Sequence, residues 1–576
     1  MLKYGLHCAN LCTTNLYLMN YCRIVLSIVI IPVFFALSIA QETTKGWHLL
    51  DPIQDQYLGI SLNKAYQFIK EHHKQSTPII VAVLDSGVDT THEDLKQILW
   101  KNPKEIPGNG IDDDGNGYID DVYGWNFLGG KDGRNVKKCS DERSRIYHLF
   151  KAQFLGKTID TTTLSTSDKF NYKTWQKAAA QLNFSQEEQT ELLYVEITAK
   201  AIKKHDKVLR KEMGIEEYTT EILEKFTPTN RPAQEAKLGY LTCMKMIGID
   251  SDEKNTSTIE QLDEYVAGKK SAFESKEIPP FDYRADIVKD TYLDFTDRYY
   301  GNNDVMGPAS MHGTHVTGLI GAKRNNGIGI DGVADNVKVM MLRVVPDGDE
   351  YDKDVALGIR YAVDNGAKVI NMSFGKSFSP QKAWVDSAIK YAASKDVLIL
   401  HAAGNDGSDN DVKENYPSPL YTQWNYKAEN FLTIGASGDP KISKSVAADF
   451  SNYGKINVDV FAPGVKIYST LPGGNQYGNL NGTSMSTPIV TGLAALIRSY
   501  YPALSAVQVK NIIETSVWIP DTSLINIKPG QMPEPIAFSS LSKTGGIVNA
   551  YYAISAADLT KPISTKDAGV PAKKSK

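Results

Sequence analysis

One run of residues narrows the fold class more than any other. Pro78-Ile79-Ile80-Val81-Ala82-Val83-Leu84 is apolar without a break and stops at Asp85. A strand with one wet face alternates polar and apolar residues. A strand apolar at every position is buried on both faces, as in a parallel sheet covered by helices on each side. Short apolar runs recur at 337–344, 369–372, 397–402, 431–436 and 458–462. Helical spacing predicts helices over 355–363, 381–393 and 484–500, and Leu62, Ala65, Tyr66 and Ile69 predict one ahead of the first strand. Alternating strands and helices imply right-handed crossovers, hence an α/β fold with a doubly wound, mostly parallel sheet. In such sheets functional groups collect at the carboxyl ends of strands. Asp85 and Asn405 each follow a strand run directly.

The 576 residues suffice for one large core or two smaller ones, and a net charge of −4 gives no electrostatic case for nucleic acid. Arg23 precedes an apolar run from Ile24 to Ala40 that ends in Ser38-Ile39-Ala40. This reads as a leader and signal peptide over 1–40 and predicts a secreted or cell-envelope protein. The alternative is a membrane anchor over 24–40, since about 17 apolar residues is the short end of a spanning helix. Cys139 and Cys243 follow the leader without metal-ligand spacing, and either one disulfide or two free thiols is expected.

The main domain is read over 41–560, with a Lys-rich, disordered tail at 561–576. Two segments interrupt it. Residues 131–299 are rich in charge and poor in strand signals; Ser185 and Glu188 form a capping box ahead of a helical stripe, and helices are expected near 216–226 and 257–267. This predicts a mainly helical insertion. Residues 97–130 carry Asp112-Asp113-Asp114-Gly115-Asn116-Gly117-Tyr118-Ile119-Asp120-Asp121. Oxygen ligands at positions 1, 3, 5 and 9 with glycine at 6 resemble the calcium loop of EF-hands and dockerins. The expected ligands are Asp112, Asp114, Asn116, the Tyr118 carbonyl and Asp120, around a structural Ca²⁺. Tyr123 stands at position 12 in place of the bidentate glutamate. No organic cofactor is expected.

The chemistry lies in three motifs: Asp85-Ser86-Gly87-Val88, His312-Gly313-Thr314-His315-Val316, and Gly482-Thr483-Ser484-Met485-Ser486-Thr487-Pro488. A serine hydroxyl is a poor nucleophile until a base takes its proton, and an acid must orient that base. Ser484 opens a helical pattern, where free N–H groups favour an oxyanion, and Pro488 is read as a first-turn proline whose missing N–H costs nothing. The chain order aspartate, histidine, serine is that of subtilisin. The chain resembles the subtilisin (subtilase) family of serine peptidases over 41–100 and about 300–560. Ala402-Ala403-Gly404-Asn405 resembles the family's oxyanion segment, and Asn371-Met372-Ser373-Phe374-Gly375 its substrate-binding strand.

That resemblance implies a subtilisin-like three-layer sandwich and a secreted serine endopeptidase. Asp85, His312 and Ser484 would form its triad, with Asn405 in the oxyanion hole. Ser373, Phe374, Gly375, Ala402, Ala403 and Gly404 would bind extended protein or peptide substrates. Family register favours Asp85 and His312 over the neighbouring Asp89 and His315, which are read as structural. Ser486 stands where alanine is commoner in the family. The gap between the aspartate and histidine motifs exceeds 220 residues, where small subtilisins have a few tens. Too few residues separate Ala40 from Asp85 for a folding propeptide. Two alternatives use the same residues: a catalytically silent peptide-binding module, and an esterase sharing the triad chemistry.

Overall fold

The computed structural model describes residues 44–183, 185–247, 254–421, 426–530 and 534–562, within one compact unit, Thr43–Lys576. The signal or anchor at 1–40 and the tail beyond 562 lie outside the described residues. The strands are β1 (Ile79–Asp85), β2 (Gly124–Asn126), β3 (Val337–Arg343), β4 (Val369–Met372), β5 (Leu398–Ala402), β6 (Phe431–Ser437) and β7 (Val460–Pro463). They continue with the hairpin β8 (Ile467–Leu471) and β9 (Gln476–Leu480), then β10 (Val517–Trp518) and β11 (Ile547–Val548). All but the hairpin join one sheet in the order β10-β11-β7-β6-β5-β4-β1-β3-β2. It is parallel except where β10 meets β11. β1 lies at the point where the strand order reverses, between β4 and β3.

Helix α1 (Leu62–Glu71) precedes the sheet. Between β2 and β3 run α2 (Glu142–Phe154), α3 (Thr166–Gln181), α4 (Gln186–Met213), α5 (Thr220–Lys225), α6 (Arg231–Ile247), α7 (Asn255–Glu274), α8 (Tyr283–Ile287) and α9 (Met311–Gly321). The crossovers α10 (Asp352–Asp364) and α11 (Lys382–Ser394) follow, then α12 (Thr483–Tyr500), α13 (Ala506–Thr515) and α14 (Ala550–Leu559). The unbroken apolar run now has its cause. Val81 and Val83 pack into the core beneath α9 and α12, while Ala82 and Leu84 face the core beneath α10 and α11. Alternate residues of β1 thus serve two dry faces.

The insertion is mainly helical, and two features tie it to the main domain and divide it. Its roots join the main domain: Val136 and Val288 sit in the α10–α11 core with Tyr300, and β2, just ahead of the insertion, is the sheet's edge strand. Arg343, fully buried on β3, ties them together by donating to the Ser86 carbonyl, Asn126 Oδ1 and the Val136 carbonyl. Its helices also form two cores. α2 and α3 enclose Ile146, Tyr147, Phe154 and Trp175 together with Phe378 of the main domain. α4–α7 enclose a separate core of Ile202, Leu209, Tyr218 and Tyr240. The capping box at the start of α4 forms as predicted, with Ser185 Oγ accepting from Glu188 N and Glu188 from Ser185 N. Cys139 and Cys243 are both free thiols. No described helix is long and apolar enough to cross a membrane.

Candidate active site

Ser484 is the second residue of α12, after Gly482, whose φ of 147° lies in the range that favours glycine. Pro488 falls one turn later than the sequence predicts, in the helix's second turn. There its missing N–H releases the Ser484 carbonyl from its i→i+4 partner. That carbonyl accepts from Ser373 Oγ at 3.0 Å instead, and Ser484 Oγ donates back to the Ser373 carbonyl at 3.0 Å. Ser373 directly follows β4, so the exchange pins the start of α12 to the carboxyl end of the sheet.

β1 is β4's neighbour, with Leu84 opposite Met372, and Asp85 is therefore one residue from the same edge. Asp85 is buried; its Oδ1 accepts from Ser86 N at 2.7 Å and pairs with His312 Nδ1 at 2.8 Å. His312 stands in the first turn of α9, which packs against α12. Gly313 permits the approach, because a Cβ there would lie 2.2 Å from the Gly87 carbonyl and 3.1 Å from Asp85 Oδ1. About 34% of the His312 side chain stays accessible, so its outer edge can meet a substrate. Desolvation opposes the charged imidazolium, yet the Asp85 charge and hydrogen bond outweigh it and raise the His312 pKa above the ordinary value.

The neighbouring candidates are occupied elsewhere. Asp89 accepts from Thr91 and from the backbone N–H groups of Gly473 and Gly474, which lowers its pKa against the effect of burial. His315 is buried, pairs with the Gly478 carbonyl at 3.2 Å, and is driven by desolvation to a pKa of about 3. Ser486 Oγ is also fully enclosed and donates to the Ala462 and Pro463 carbonyls, at 2.9 and 3.1 Å.

Asn405 follows β5. Its Oδ1 accepts from both Thr483 N and Thr483 Oγ1 at 2.9 Å, which leaves Nδ2 as the free end. Thr483 Oγ1 also accepts from Gly404 N. This latch was not evident in the sequence, where Thr483 reads only as part of the serine motif. A cavity of about 550 Å³ opens beside these groups, lined by Ser484, Asn405, Phe374, Gly375, Ala402 and Gly404 among others. Ala403 is buried instead, its carbonyl accepting from three asparagine side chains.

The acidic loop departs from the expected ligand set. Asp120 turns its carboxylate away to accept from the N–H groups of Gly108, Asn109 and Gly110. Asn116 accepts from Tyr118 N and donates to Asp121, so its amide is engaged within the loop. Asp112 and Asp114 do converge, but with Glu105, ligand oxygens lying within 4.8 Å of one another. Glu105 is buried; Oε1 accepts from Asp113 N and Asp114 N, while Oε2 has no partner among the described residues. Burial and the nearby Asp121 and Asp114 charges raise the Glu105 pKa. An orphaned buried oxygen among three carboxylates fits a hard cation with oxygen ligands.

A family model described as the subtilase family of peptidases matches residues 76–546. A thermophilic serine proteinase of Bacillus sp. strain AK1 is 39% identical over 207 residues, 36% of this chain and 46% of that protein. Subtilisin BL of Lederbergia lenta is 38% identical over 206 residues, 36% of this chain and 69% of that protein. Among solved structures, a protease from Pseudoalteromonas arctica aligns with 20% identity and a TM-score of 0.43, covering 89% of this chain and 96% of that one.

Proposed function

The chain belongs to the subtilase family, and on that premise we propose that it is a serine endopeptidase, cleaving peptide bonds of proteins through an acyl-enzyme. Ser484 Oγ attacks the scissile carbonyl while His312 takes its proton and then passes it to the leaving amine. Ser484 Oγ donates to the Ser373 carbonyl in this structure and must leave that partner for His312 to take its proton. Asp85 holds the imidazole by Nδ1, leaving Nε2 to act as the base, and stabilises the imidazolium. Asn405 Nδ2 and the Ser484 backbone N–H receive the oxyanion. Ser373–Gly375 pair with an extended substrate backbone. The observation that carries the reading is the 2.8 Å His312–Asp85 pair at the carboxyl end of β1, beside the strand end that anchors Ser484. The intact set of four groups gives no support to a silent binding module.

Two finer readings accompany it. Residues 1–40 direct export, as their apolar run after Arg23 supports. Glu105, Asp112 and Asp114 would hold a structural Ca²⁺, whose positive charge would offset the three carboxylates. The experiment that tests the activity is casein hydrolysis by the purified protein beside Ser484→Ala. Turnover lost in the variant supports the reading; equal turnover in both overturns it.

A further inference from the structure

The insertion reaches the cavity beside Ser484. We propose that the α2–α3 hairpin completes the pocket for the residue whose carbonyl is attacked (P1), and that this pocket selects long side chains ending in N–H donors. The inference rests on the peptidase reading above.

Gln181, the last residue of α3, lines the 550 Å³ cavity together with Ser484 and Asn405. Lys177 stands one turn earlier on the same helix face. Its ammonium donates to the Ser377 carbonyl at 3.1 Å and to Glu414 Oε2 at 2.8 Å. Ser377 continues the segment begun by Ser373–Gly375, and Glu414 belongs to the loop that follows Asn405. One side chain of the insertion therefore ties together the two chain segments that line the cavity. The hairpin is held there from two further points. Phe378 is packed into the α2–α3 core, with Lys177 over its ring at 4.7 Å. Glu142, which opens α2, pairs with buried Lys376 at 2.8 Å.

The lining sets the chemistry. Asn415 Nδ2 donates to the Ala402 and Ala403 carbonyls, which aims Oδ1 at Gly375, 2.4 Å from where a Cβ would lie. Neither that oxygen nor the Asp406 carboxylate accepts a hydrogen bond from the described residues. Glu414 is matched by Lys177, and Lys376 by Glu142 and Asp352. Lys413 donates to Ser408 Oγ. Unmatched acceptors remain, the Asp406 carboxylate among them. An apolar P1 side chain would desolvate them unpaired, and a carboxylate would meet them as another acceptor. Glutamine, lysine or arginine would satisfy them.

The test uses the full chain and peptides that differ only at P1. Wild type is expected to cleave after glutamine, lysine or arginine with kcat/KM about tenfold or more above phenylalanine, leucine or glutamate, the scale of one unpaired buried polar group. Lys177→Met and Gln181→Ala should each reduce that ratio about two- to fivefold, through KM with kcat nearly constant, and Lys177→Arg should restore it. Preference for phenylalanine, leucine or glutamate in wild type overturns the pocket chemistry. Ratios unchanged in both variants overturn the hairpin's role. A fluorophosphonate probe, which needs the triad and not the pocket, separates the two levels. If it fails to label Ser484 in folded wild type, the peptidase reading falls and takes this inference with it.

Discussion

Asn405 is held in one orientation by what its oxygen accepts, because two donors from Thr483 leave no choice of amide flip. Asn405→Leu keeps much of the volume and removes the donor. It should lower kcat about 10²–10³-fold with little change in KM, a magnitude known from subtilisin itself. Steady-state kinetics on one peptide would check this, and a change confined to KM would contradict it. Ser486 tests the reverse case, a buried hydroxyl with no role in the chemistry. Ser486→Ala should cost about 0.5–1.5 kcal/mol in urea unfolding, the net worth of one hydrogen bond, and leave kcat unchanged. Motif spacing made Asp85, His312, Ser484 and Asn405 legible, since each sits at the start of a helix or the end of a strand. Glu105 was not legible, because it lies outside the acidic run and only the fold returns it to Asp112 and Asp114. Asn415 and Gln181 were hidden for the same reason: a pocket wall built from distant segments has no local pattern.

The insertion divides at α3. Asn183, just past α3, meets Lys276, just past α7, so the ends of the α4–α7 bundle already touch. Replacing 186–274 by a short glycine-serine linker should give a folded protein that keeps its P1 preference, because the bundle's core is its own. Loss of folding, or a changed preference, would contradict the division. The buried Glu142–Lys376–Asp352 cluster predicts the opposite for the α2–α3 root. Desolvation acts against the Lys376 ammonium, but the Asp352 and Glu142 charges raise its pKa well above the ordinary value. Lys376→Met leaves Asp352 buried without its cation, and Glu142 with Arg145 alone, and should cost about 3–5 kcal/mol. Adding Glu142→Gln should recover part of that loss in a double-mutant cycle. Six strands of the main sheet were readable as apolar runs; β2, β10 and β11, two or three residues each, were too short to show one. α2 and α3 were not, because α3 buries little beyond Trp175 and Ala178 and shows only a faint stripe.

For the molecule as a whole, the carboxylate cluster predicts a stability that depends on divalent cations. Chelation should lower the Tm, and added Ca²⁺ should restore it also in Ser484→Ala, which excludes self-digestion as the cause. Glu105→Gln should abolish the response. A Tm indifferent to chelator would contradict the site. The pH dependence carries its own sign. His312 acts as a base only when neutral, and its folded pKa is raised above the ordinary value of 6.5. Its pairing with Asp85 therefore stabilises the fold below that ordinary value, and this contribution is lost as pH rises through the folded pKa. Activity gains over the same window. Activation of Ser484 by His312 and Asp85 is read from the rate of fluorophosphonate labelling against pH, followed by intact mass. A single adduct is expected, absent in Ser484→Ala, whose rate rises with pH through a midpoint above 6.5 and collapses in His312→Ala. Labelling that persists without Ser484, or is unchanged without His312, would contradict it.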